Sequence, residues 1–161
     1  VPVAMNELDR MIAVAEEIMR RLESGERLSD VLDQAKLLMN MAGETVQEAL
    51  MDILIRGLIE STYQTKIFTD PAYNTAGKKY VELCVYEDVA SLKLSVSGME
   101  NLRQTPPRHR RMSEEATGQT LLNQEYYEKV KSALDALRSY VYIKASHIWN
   151  DSLKRKEKGT L

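Results

Sequence analysis

Cysteine is nearly missing from this chain: the 161 residues include one, Cys84. A single thiol excludes an internal disulfide and any multi-cysteine metal site, and it predicts a reducing compartment, the cytoplasm. Histidine is scarce too, with only His109 and His147. No HExxH or EF-hand spacing appears, so no metal centre is expected. GxGxxG and GxxxxGK[ST] are absent, which removes the usual phosphate-cradling loops. No apolar run approaches the roughly 18 residues that a membrane span needs, so no membrane partner is expected. Val1–Met5 is too short and uncharged to read as a secretory signal. Together these absences predict a protein that is not an enzyme and uses no cofactor.

Composition is otherwise ordinary for a folded protein: 43% of residues are hydrophobic and 29% charged. The length suits a single domain over 1–161 with one hydrophobic core. The net charge of -2 conceals a split. Residues 1–60 hold six Lys/Arg and twelve Asp/Glu, whereas the rest hold sixteen and twelve. Such a split can orient self-assembly or place an anionic partner at one end. Glu16-Glu17, Asp30/Asp33 and Glu114-Glu115 read as capping or surface carboxylates rather than acid–base pairs.

Hydrophobic periodicity predicts a mainly α fold: an antiparallel helical bundle with an inserted β-hairpin and a long C-terminal helix. Residues 6–63 form the three-helix segment. Asn6 is the expected cap of the first helix, whose stripe is Leu8, Met11, Ile12, Ala15, Ile18, Met19 and Leu22, ended by Ser24-Gly25. Ser29 is expected to cap the second, and Gly43 to stop it. Thr45 and Glu48 fit a capping box for the third, which should run through Gly57 to Leu58 and Ile59, with a close helix crossing at the glycine. Period-two alternation over 79–97 predicts two strands and an open sheet edge. Within it, Cys84 reads as a small buried hydrophobe. Residues 98–122 read as a basic loop, 123–153 as the long helix, and 154–161 as a frayed charged tail.

Two features point to partners. Six of the eight methionines fall in the first 51 residues, and methionine serves both core filling and adaptable binding surfaces. Met11, Met19 and Met39, with Tyr140 and Trp149 on the long helix, are therefore the candidate interface residues of a homo-oligomer or of a complex with a partner protein. Arg103, Arg108, His109, Arg110 and Arg111, with Lys154, Arg155 and Lys156 in the tail, are the candidate contacts for nucleic acid or another anion. The five residues between Arg103 and His109 match the spacing of a helical arginine–histidine ribonuclease pair. Pro106-Pro107 between them breaks any such helix. The expected function is thus a non-enzymatic interaction or assembly module; the alternative is an accessory nucleic-acid-binding subunit.

Overall fold

The computed structural model describes residues 2–57, 79, 95–103 and 117–159. Among them are five helices and no strand: α1 (Pro2–Glu23), α2 (Leu28–Met41), α3 (Thr45–Arg56), α4 (Val96–Arg103) and α5 (Thr117–Gly159). The chain divides into two compact units, Val1–Ile55 with Arg138–Leu161, and Arg56–Leu137. The mainly α expectation holds.

In the first unit, the α1 stripe narrows to Met11, Ala15, Ile18 and Leu22 as buried positions. The four-three-four spacing is that of a helix packed along its length on another. Val141, Ala145, Ile148 and Ser152 of α5 repeat the same spacing and are buried. Leu28, Val31, Leu32, Ala35, Leu38 and Met39 of α2 and Leu50, Met51 and Leu54 of α3 complete the core. Each such Leu, Ile or Met stabilises the fold by about 1.5–3 kcal/mol relative to exposure.

The two turns between α1, α2 and α3 are built alike. Gly25 has φ +86 and Gly43 φ +73, both left-handed. Gly25 N–H donates to the Leu22 carbonyl and Glu26 N–H to that of Arg21; Gly43 and Glu44 repeat this with Asn40 and Met39. This is the Schellman arrangement, which satisfies carbonyls left over at a helix end.

Helix starts and ends depart from the sequence reading in several places. α1 begins at Pro2, not after Asn6; proline suits a first turn because it has no amide to leave unsatisfied. α2 begins at Leu28, and Arg27 precedes it without a side-chain cap, so Ser29 is not the cap. Leu28 is 2% exposed, and its burial carries the helix past the serine. Thr45 and Glu48 form no capping box at the expected place. Thr45 is already helical, the Glu44 carbonyl accepts from Glu48 N–H, and the Glu48 carboxylate accepts from Asn40 Nδ2 on α2 instead. α3 ends at Arg56, and Gly57, at φ +99, terminates the helix rather than crowding a crossing inside it.

The inserted hairpin is not supported. Residues 80–94 lie outside the described residues, but both ends of the expected pair are helical: Lys79 is helical and Val96–Ser97 open α4. Ser95 explains the difference, since its hydroxyl accepts from Gly98 N–H at 3.0 Å and caps a helix there. Val96 and Met99, three apart, are both fully buried, which a helix achieves and a strand does not. The expected loop 98–122 is helical over 98–103 and 117–122. The long helix likewise exceeds 123–153 at both ends; at 43 residues it measures about 64 Å. Its last turns are not frayed, because Lys and Arg are good helix formers and complement the negative helix end. In the second unit, Val130, Ala133 and Leu137 of α5 are buried, and Lys79 donates to Ser132 Oγ at 2.5 Å.

Candidate functional site

The first unit is held by polar contacts of regular register. On one flank, Lys36 of α2 pairs with Asp52 of α3 at 2.8 Å, and one turn on Asn40 meets Glu48. On the other, α5 donates to α1 at three levels. Tyr142 donates its hydroxyl to Glu23, Trp149 its indole N–H to Glu16 at 3.0 Å, and Lys156 pairs with Asp9 at 2.6 Å. Each step is seven residues up α5 and seven down α1, so the helices are antiparallel. Every acceptor is a carboxylate of α1.

Above this ladder, Arg138 donates to the main-chain carbonyls of Leu22 and, at 2.6 Å, Glu26. It thereby satisfies the end of α1, where the helix dipole is negative. Arg21 braces the same turn through Glu26 at 2.5 Å and Gln34 at 2.8 Å. The Glu23 carboxylate, by accepting the Tyr142 hydroxyl, raises the phenol above its ordinary value of 10.0; desolvation and the negative charge of Glu23 act in the same direction.

Besides a cleft of about 320 Å³ beside Glu7, Arg10 and Met41, two others open on this unit. One of about 250 Å³ brings Glu44, Lys144, His147, Asp151 and Arg155 over Met11 and Ile148. Its charges are matched. Lys144 Nζ lies 3.0 Å from Glu44 Oε2, an ion pair that is close but not aligned as a hydrogen bond, and Arg155 lies 4.0 Å from Asp151. The other, of about 300 Å³, is an apolar groove beside Tyr142 and Ile143 at the end of α1. Among the described residues, no three His, Cys, Asp or Glu side chains stand together to hold a metal ion. Among them, too, no helix is long and apolar enough to cross a membrane.

The residues singled out by sequence separate into distinct environments. Met11, Met39 and Tyr140 are 6%, 1% and 4% exposed, so the unit's own core covers them. Met19 and Trp149 are half-buried, and the Trp149 nitrogen is engaged by Glu16. Arg103 ends α4, while Arg108, His109, Arg110 and Arg111 lie outside the described residues. Lys154 and Arg155 are exposed, whereas Lys156 is committed to Asp9. Arg138, Glu44 and Lys144 escaped the sequence reading, since nothing local marks them. Asp9, Glu16 and Glu23, spaced like Tyr142, Trp149 and Lys156, did carry a readable seven-residue signal. Comparison with protein-family models, curated proteins and solved structures gave no match.

Proposed function

We propose that the protein is a non-enzymatic protein–protein interaction module that assembles with itself or docks on a partner protein. The observation that carries this reading is the exposure of three large apolar side chains: Leu37 at 44%, Val46 at 40% and Ile143 at 50%. They lie on α2, α3 and α5, in a unit whose other large apolar residues are largely withdrawn from solvent. Exposed apolar surface is what an association would bury. In the cleft at Lys144, Glu44 pairs with Lys144 and Asp151 with Arg155, which favours a scaffold over carboxylate acid–base chemistry there.

The test is mass in solution by light scattering at about 100 µM, where an association with a Kd near 1 µM (about -8 kcal/mol) is almost complete. The expected result is a dimer or higher oligomer, reduced by Leu37→Glu or Ile143→Glu with helicity retained. A monomeric mass overturns self-assembly and leaves only docking on a different protein.

One further observation favours nucleic-acid binding as a second reading: Lys154, Arg155 and Lys158 are exposed on the last turns of α5. Addition of mixed nucleic acid to the same measurement distinguishes the two. Phosphate contacts by these three residues would raise the mass and weaken by about 0.9 log units per log unit of salt for each duplex phosphate neutralised.

A further inference from the structure

At one end of the first unit, positive charge converges against the local trend. A cleft of about 320 Å³ near the start of α1 and the ends of α2 and α5 is lined by Glu7, Leu8, Arg10, Met11, Met41 and Arg155. Two guanidiniums, one from α1 and one from α5, thus share a cleft wall that holds a single carboxylate. Yet residues 1–60 carry twelve Asp/Glu against six Lys/Arg. Arg20, Arg21 and Arg27 are each met by a carboxylate, and Arg138 by main-chain carbonyls. Arg10 differs. Among the described residues it has no ion pair, and Glu7, three residues earlier on the same helix, does not supply one. Arg155 lies 4.0 Å from Asp151, with both side chains largely exposed, a contact that water screens and a ligand can displace.

The rest of the cleft wall is apolar. Met11 is buried, and Leu8 and Met41 are half-buried. Methionine adapts to irregular shapes, which suits it to a ligand surface as well as to a core. Like charges on one concave surface repel, and an anion between them removes that repulsion. Guanidinium groups also present paired donors to carboxylate or phosphate oxygens. The volume falls at the small end of the range for ligand sites, about 300–1,000 Å³, enough for a charged group and a short chain. The neighbouring cleft shares Met11 and Arg155 but sets Glu44 beside Lys144 and Asp151 beside Arg155, so its own carboxylates answer its charge.

We propose that this cleft binds a small organic anion, a carboxylate or phosphate on a short apolar chain. Arg10 and Arg155 hold the charged group, and Leu8, Met11 and Met41 receive the chain. The site lies within one chain and stands apart from the assembly reading. It differs from phosphate contact along the last turns of α5 in needing Arg10, which belongs to α1, and an apolar part on the ligand.

The experiment is a titration of the full chain, labelled at its methionine methyl groups and followed by nuclear magnetic resonance. The probes are hexyl phosphate and hexanoate, with inorganic phosphate and hexanol as the charged and apolar parts alone. Hexyl phosphate or hexanoate is expected to shift the Met11 and Met41 methyls saturably, near about 1 mM for a ligand of this size, and to leave Met51 of α3 unmoved. Whichever binds more tightly identifies the headgroup, and saturable binding of either supports the proposal. Inorganic phosphate and hexanol should each bind more weakly. Arg10→Gln and Arg155→Gln, both at exposed positions, should each weaken binding about fivefold with helicity retained. Lys154→Gln, exposed but outside the cleft wall, should not. Absence of a saturable shift with both hexyl probes overturns the proposal. So does binding of inorganic phosphate or hexanol as tight as theirs, or a loss in Lys154→Gln equal to that in Arg10→Gln, which would mark general attraction to the basic end of α5.

Discussion

Gly25 and Gly43 hold left-handed backbone where two helices stop, and an added Cβ at either would meet nothing within 4 Å. Any penalty for replacing them is therefore conformational and not steric crowding by neighbours. Gly43→Ala is expected to lower stability by about 1 kcal/mol, with Gly43→Asn milder because asparagine tolerates this region. Urea unfolding checks it: the midpoint should fall while the slope stays unchanged. Both glycines were readable as helix stops in the sequence, since their role is local. Gly57 was not, because a glycine amid apolar residues looks the same inside a helix as at its end, and only the buried left-handed turn separates the two.

At the scale of elements, the α1–α5 pair predicts a pH response. Accepting the Tyr142 hydroxyl, Glu23 holds the phenol pKa above its ordinary value, so the protonated phenol is the favoured form in the folded state. The contribution is fully present below the unfolded pKa of about 10 and is lost as pH rises through the higher folded value. Glu23→Gln should bring one phenolate titration, followed by ultraviolet absorbance, back toward the ordinary range; no change would remove Glu23 as the cause. Lys156–Asp9, with both side chains roughly half-exposed, contributes only about 0–1 kcal/mol. The length of α5 was underestimated from sequence because charged residues at 154–158 resemble a tail. Their helical propensity, and the acid that Asp9 presents to Lys156, say otherwise.

For the whole molecule, the first unit is discontinuous in sequence, with Arg56–Leu137 lying between its parts. Its core joins Met11, Ile18 and Leu22 to Val141 and Ile148 on segments far apart in the chain. The fragments 1–57 and 138–161 should therefore associate in trans. Mixing them is expected to yield more helicity by circular dichroism than the sum of the two alone, and Arg138→Ala in the second fragment should weaken the complex. Additive spectra at all concentrations would show that the remaining residues are needed for this unit to form.

The sequence by itself determined what depends on near neighbours: the presence of three helices in the first 57 residues, their apolar stripes, and two of the glycine stops. Three-and-four spacing and left-handed turns are local physics, and they read directly. Tertiary structure decided what depends on distant residues. Period-two alternation at 91–97 reads as a strand, whereas burial of Val96 with Met99 behind the Ser95 cap makes Val96–Arg103 a helix. Met39 and Tyr140 fit either core or interface by sequence, and packing encloses both. Arg138 had no sequence signature at all, because the main-chain carbonyls it satisfies belong to the end of α1 and the turn after it, more than a hundred residues earlier.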